Sequence, residues 1–345
     1  MATFRKRSEF SWEAQIRRQG QPSITKTFLY RKDAESWARG IESELDRGAF
    51  VSSTKAQRTT FKGLAEDFEK DFAPHHYRGK AWKHKLAHLK TKLGSYSLLA
   101  ITSQVVAKYR DDRLKEPDSR FTLDIGSAPR VSPATVKGEL DLLSKVLDVA
   151  TKEFNISLPA GNPVAGVRLP RGAKKRDRRL TGDEWLKLMV ECQASKNTWL
   201  VPAVTLAVET AMRQGELLSL EWRDIDKKRK LALLLDPEKI KNEEPRSVPL
   251  SSAALAALES LPRDLKGRVI PIGRMTLYKA FERACDRAEI TDYTWHDLRH
   301  EALSRLAERG DFSVLEMAAV SGHKTLQMLK RYTHLQAENL AKKLG

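Results

Sequence analysis

From residue 156 to residue 179 this chain cannot hold a regular element. Pro159, Gly161, Pro163, Gly166, Pro170 and Gly172 interrupt every period in that stretch. Helical patterns run on both sides of it, so the chain is expected to fold as separate bodies joined by a connector. A length of 345 residues suits two or three of them. The connector's end holds Arg171, Lys174, Lys175, Arg176, Arg178 and Arg179, with Asp177 against them. Such a basic strap can follow a nucleic-acid backbone; a solvated linker is the plainer alternative.

Residues 1–57 read as a small unit of their own. Phe10, Trp12, Ala14 and Ile16 alternate with polar residues, the period of a half-buried strand. Arg18 to Gln21 supplies a turn, and Ser23 to Tyr30 is a second β-rich run. Ala34, Trp37, Ala38, Ile41 and Leu45 then mark one face of a helix that Gly48 can end. The expected result is a hairpin or three-stranded sheet backed by one helix. Residues 58–155 are helical in pattern. Trp82, Leu86, Leu89 and Leu93 form an apolar stripe among Lys80, Lys83, Lys85, Lys90 and Lys92, which are candidates to meet phosphates. A further helix is expected from about Pro133 to Phe154. Residues 180–345 open on the capping box Thr181 to Glu184 and continue as helices. Two short strands, Leu231 to Leu235 and Arg246 to Leu250, interrupt them. The fold class is therefore mainly α with small antiparallel β-sheets.

A formal net charge of +17 and a pI near 9.8 add no stability to a compact body, because like charges repel. They fit a polyanion such as DNA, with one phosphate charge per roughly 1.7 Å of duplex axis. Cys192 and Cys285 are too few for a disulfide framework or a zinc knuckle, which points to a reducing compartment. The basic N-terminus is not followed by an apolar run, and no segment has the composition of a membrane span. A soluble cytoplasmic protein is expected.

Five segments of the last domain carry polar residues that packing alone does not require. They are Thr210 to Leu220 with Arg213 and Glu216, the loop around Lys241, His296-Asp297-Leu298-Arg299-His300, Ser321-Gly322-His323, and Arg331 to Leu335 with Tyr332. Each has an ordinary reading alone. Arg213 and Glu216 suit a surface ion pair, and His296 and His300 have a spacing that also suits zinc. Zinc needs a third ligand and usually a Glu after the first His; here Asp297 follows and the cysteines lie elsewhere, so no metal is expected.

Taken together, the order Arg–Lys–His-x-x-Arg–His–Tyr resembles the tyrosine recombinase (phage integrase) family. The likeness covers the whole chain and is densest from Thr181 to Leu335. The blocks TAMRQGELLSLEW, HDLRHEALSR and SGHKTLQMLKRYTHL look most similar to the shufflon-type DNA invertases. The resemblance implies a clamp on DNA, built from a helical core-binding domain and a mixed α/β catalytic domain. Residues 1–57 would be an arm-type DNA-binding unit. It also implies strand cleavage and rejoining through a 3′-phosphotyrosine, without metal or ATP, by a homotetramer acting on repeated duplex sites through a Holliday junction. An accessory DNA-bending protein is an optional further partner, and the setting would be the nucleoid of a bacterium or the DNA of a phage. In that reading Tyr332 is the nucleophile. Arg213 and Arg299 hold the phosphate, and His296 serves as general base. Lys241 is the general acid, with Lys239 as its competitor. His323 binds a non-bridging oxygen or positions Tyr332, and Glu216 orients the basic residues. The C-terminal segment Gln336 to Gly345 is a candidate for docking on a neighbouring protomer. Integration or excision is the alternative to inversion. A type IB topoisomerase and a catalytically inactive DNA-binding regulator are the competing classes.

Overall fold

The computed structural model describes residues 2–19, 23–47, 54–118, 128–172, 176, 178–236, 245–262, 267–330 and 332. The chain divides into two compact units, Met1–Lys174 and Lys175–Gly345.

The first unit begins with three antiparallel strands in sequence order: β1 (Ala2–Ser8), β2 (Ser11–Ile16) and β3 (Ile24–Phe28). Ala14 and Ile16 on β2 are buried, as are Ala34 and Ala38 on helix α1 (Arg31–Asp46), while Phe10 lies 70% exposed in the turn before β2. The alternation therefore marks a strand, but Phe10 is not part of its buried face. β1 is an addition to the expected pattern. Its Arg5, Lys6 and Arg7 break any apolar alternation, and it is a strand because it pairs with β2 from Ala2↔Ile16 to Ser8↔Ser11.

The helical part of the first unit is built around α2 (Ala81–Leu93), α3 (Ser103–Lys115) and α4 (Pro133–Lys152). Trp82, Leu86, Leu89 and Leu93 form the buried stripe of α2, as their spacing predicts. They join Phe61, Leu64, Phe68 and the apolar face of α4 in one core. Ser132 caps α4 and Pro133 fills its first turn, where a missing N–H costs nothing. The stretch expected to be a connector from residue 156 is packed over its first half. Ile156, Val164 and Val167 are buried in this same core, and Pro163–Gly166 forms a 3-10 turn. Asn162 ties that turn to α4 through Ser144 and Asp148. Prolines and glycines here shape a fitted loop, because Ile156, Val164 and Val167 between them find a place in the core.

The second unit has α5 (Gly182–Gln193), α6 (Leu200–Thr210) and α7 (Gln214–Ser219) first. A three-stranded antiparallel sheet follows, β4 (Ile225–Asp226), β5 (Leu231–Leu234) and β6 (Arg246–Pro249). Then come α8 (Ser252–Glu259), α9 (Arg274–Arg287), α10 (Trp295–Arg309) and α11 (Val314–Ser321). The Thr181 capping box opens α5 as the sequence predicts. The two-residue β4 is too short to leave a periodic signal. Cys192 and Cys285 both lie in the core of this unit, and burial pushes each thiol up to about 12. No helix among the described residues is long and apolar enough to cross a membrane.

Candidate active site

The site is assembled from four separate pieces of the second unit. The α6 helix stops where Ala211 turns to a left-handed backbone conformation (φ 51°), which sends the chain back so that Arg213 stands before α7. Glu216, one turn into α7, is 2% exposed. Its carboxylate accepts the backbone N–H of Arg213 at 2.9 Å and the Arg213 guanidinium at 2.8 Å. A second guanidinium, that of Arg246 on β6, donates to the same carboxylate at 2.8 and 3.2 Å. Burial pushes the Glu216 carboxyl up, but the hydrogen bonds and charge of Arg246, followed by those of Arg213, outweigh it and hold the group at about 2.

Helix α10 presents His296, Arg299 and His300 at i, i+3 and i+4, hence on one face. Arg299 is 4% exposed. Its Nη1 donates to the Ala211 carbonyl, and its Nη2 lies 3.3 to 3.4 Å from the His323 ring nitrogens. No carboxylate among the described residues is hydrogen-bonded to it. Burial, then the neighbouring charge of Arg213, pushes Arg299 down to about 9, still cationic at neutral pH. Among the described residues, Arg213 and Arg246 thus share the carboxylate of Glu216 with Arg299 close enough to feel its charge, so cations outnumber acids there.

His323 follows Gly322, the left-handed cap of α11 (φ +67°). Ser321 Oγ lies 2.7 Å from His323 Nδ1 and spends its only proton on the Met317 carbonyl at 2.6 Å. The hydroxyl therefore accepts, which makes Nδ1 the protonated nitrogen of His323 and leaves Nε2 bare toward Arg299. Burial, then Arg299 and Arg213, pushes this imidazole down to about 4, so it is neutral at physiological pH.

Tyr332 is 4% exposed, packed with Ala302, Leu303, Met317 and Leu329. Its hydroxyl lies 2.6 Å from Nδ1 of His300, and the His296 ring stands edge-on to His300 with centroids 5.1 Å apart. Arg213, Glu216, His296, Arg299, His323 and Tyr332 are thus brought to one region by α7, α10, α11 and the segment after it. Sequence reasoning passed over two participants. Arg246 entered only as context for the lysine loop, and His300 only as half of a zinc spacing. Lys239 and Lys241 lie outside the described residues, as do Lys174, Lys175 and the segment Gln336 to Gly345. Among the described residues no group of three His, Cys, Asp or Glu side chains is placed to hold a metal.

The expected phosphate-tracking residues behave differently from one another. Lys83 and Lys90 reach Glu69 at 3.4 and 3.5 Å, and Lys92 reaches Glu116 at 2.5 Å. Lys80 is exposed at the start of α2, and the Lys85 ammonium lies over Gly138 of α4. Arg171 is exposed. The remaining strap arginines are held by acids of their own unit. Arg176 donates to Asp292 at 2.8 Å and to Asp297 at 3.0 Å, Arg178 pairs with Glu184, and Arg179 pairs with Glu301 and Glu308.

Comparison with known proteins gives one direction. Residues 178–339 match the model of the phage integrase family. A shufflon-specific DNA recombinase of Escherichia coli is 42% identical over 244 residues, which is 71% of this chain and 60% of that protein. The chain thus spans about 60% of that relative's length. In structure it is similar to a lambda integrase dimer bound to a COC' core site, with TM-score 0.63 and 22% identity over 95% of this chain and 93% of that one. A lambda integrase tetramer bound to a Holliday junction is also similar, with TM-score 0.61 and 23% identity over 93% and 95% of the two chains.

Proposed function

The chain belongs to the phage integrase, or tyrosine recombinase, family, and from that premise we propose that it is a site-specific DNA recombinase with Tyr332 as its nucleophile. What supports this most directly is Arg299. A buried guanidinium with no carboxylate bonded to it among the described residues is costly, and a planar fork of donors fits phosphate oxygens. Together with Arg213 it forms a cradle in which a phosphodiester supplies the missing charge. Donors preset around the phosphate stabilise the negative charge that gathers in the transition state without a metal ion.

In the proposed reaction Tyr332 Oη attacks the scissile phosphorus. The P–O5′ bond breaks, and the 5′ oxygen leaves as an alcohol after taking a proton, for which Lys241 is the candidate donor. The 3′-phosphotyrosine conserves the bond energy until a 5′-hydroxyl of the partner strand attacks it. Four protomers, two exchange rounds and a Holliday junction complete the reading, as does intracellular work on repeated duplex sites. Glu216 would fix Arg213 and Arg246. His323, with Nε2 bare, would bind a phosphate oxygen only after gaining a proton or changing tautomer. The domains would divide as an arm-type unit at 1–57, a core-binding unit at 58–155 and a catalytic unit from 180. Inversion of shufflon type is favoured by the Escherichia coli relative, with integration or excision as the second reading.

The test is covalent trapping in EDTA on nicked duplexes that tile the repeats beside the gene. Wild-type protein is expected to form a denaturant-resistant adduct at one repeat, and Tyr332→Phe none. Absence of an adduct on duplexes that the wild type binds would point to a DNA-binding regulator; an adduct on any sequence would point to a topoisomerase.

A further inference from the structure

Tyr332 is packed on its sides by Ala302, Leu303, Met317 and Leu329 and is 4% exposed, so bulk water is a poor sink for its proton. A phenol has an ordinary pKa near ~10 and needs a base to attack at neutral pH. The group at its hydroxyl is the Nδ1 of His300, at 2.6 Å. His300 sits one residue beyond Arg299 on α10, so one turn of helix offers both a ligand for the phosphate and a partner for the nucleophile.

Resting on the recombinase reading above, we infer that His300 is the proton acceptor for Tyr332. As Oη bonds to phosphorus, the phenolic proton passes to Nδ1 of His300, and the P–O5′ electron pair leaves with the 5′ oxygen, which is protonated by the general acid. In religation the same imidazolium returns its proton to the departing Tyr332 oxygen. The acceptor has to be the neutral Nε2–H tautomer, with a lone pair on Nδ1. His296 stands edge-on to His300, with ring centroids 5.1 Å apart, and is exposed at the start of the same helix.

The experiment uses the full chain and the duplex that traps wild type. Single-turnover cleavage is measured for wild type, His300→Ala and His300→Gln. Joining of a strand ending in 3′-p-nitrophenyl phosphate to a 5′-hydroxyl is measured in parallel. That leaving group departs as a stable anion and needs neither Tyr332 nor its proton. Both His300 variants are expected to cleave about 100-fold more slowly while the nitrophenyl joining stays at the wild-type rate. Wild-type cleavage by His300→Gln, which keeps a hydrogen-bond acceptor but no base, would overturn the inference. So would a fall in nitrophenyl joining that matches the fall in cleavage, because the residue would then be structural. If wild type itself forms no adduct on DNA that it binds, the recombinase reading fails; normal adducts with a fast His300→Gln sink only the role of His300.

Discussion

The carboxylate of Glu216 receives both terminal nitrogens of the Arg246 guanidinium, at 2.8 and 3.2 Å, in a forked pair buried beneath the proposed phosphate cradle. Arg213 shares the same carboxylate, so one acid on α7 sets the position of two cations that reach it from different elements. Removing a single partner of a buried pair leaves an uncompensated charge, at about 3–5 kcal/mol. Glu216→Gln is therefore expected to lower unfolding free energy by about 3 kcal/mol in urea titrations and to slow cleavage through Arg213. A variant that unfolds like wild type would show that the pair does not hold the site together.

The same geometry fixes an acid limit. The Glu216 carboxyl is depressed to about 2 in the folded chain, against about 4.3 unfolded. Its stabilisation is present above the unfolded value and is lost as pH falls through the folded one, about 3 kcal/mol in all. His323, depressed to about 4, acts over a higher window. The unfolded imidazole takes up its proton near pH ~6.5, so stability falls with pH from there toward 4, by up to about 2 kcal/mol after allowance for solvent screening. His323→Gln is expected to flatten unfolding free energy between pH 6.5 and 4.5 and to leave the loss below pH 4 intact. An unchanged slope in that variant would place the titrating group elsewhere.

Gly322 answers to two demands. Its backbone is left-handed, and a Cβ would stand 2.7 to 3.0 Å from the guanidinium of Arg246. That guanidinium cannot give way cheaply, because Glu216 pins it. Gly322→Ala is expected to cost about 2 kcal/mol, part from the backbone and part from displacing Arg246, and to reduce cleavage with it. Paired with Arg246→Ala, which opens the space, the glycine substitution should cost only its backbone share of about 1 kcal/mol. Strict additivity of the two changes would argue that they do not touch.

Local pattern carried the sequence reading where the physics is local. The stripes of α2 and α4, the Thr181 box and the helix face holding His296 and Arg299 are all decided within a few turns. Arg246 was invisible in its role because its partner lies thirty residues earlier on another element. His300 was ambiguous because spacing on a helix says which residues share a face, not that a tyrosine 32 positions later will meet one of them. The charged β1 is decided by pairing rather than by apolar period. The same limit applies to the strap. A run of arginines gives no sign that acids more than 100 positions away pair with Arg176 and Arg179.

That difference separates two kinds of basic residue by experiment. Lysines of α2 pair with exposed or half-buried acids, and exposed ion pairs are worth about 0–1 kcal/mol, so DNA phosphates can replace those partners readily. Arg179 instead serves Glu301, whose side chain is 4% exposed and shared with Arg305 at 2.9 Å. Giving that arginine to DNA would strip a buried carboxylate of one of its two cations. Lys83→Ala is accordingly expected to leave the melting temperature unchanged and to reduce the slope of log binding constant against log salt by about 0.9. Arg179→Ala is expected to keep the salt slope and lose about 2 kcal/mol of stability. Anisotropy titrations over a salt series, run beside urea unfolding, measure both. A salt slope reduced by Arg179→Ala with stability intact would return the strap to the DNA.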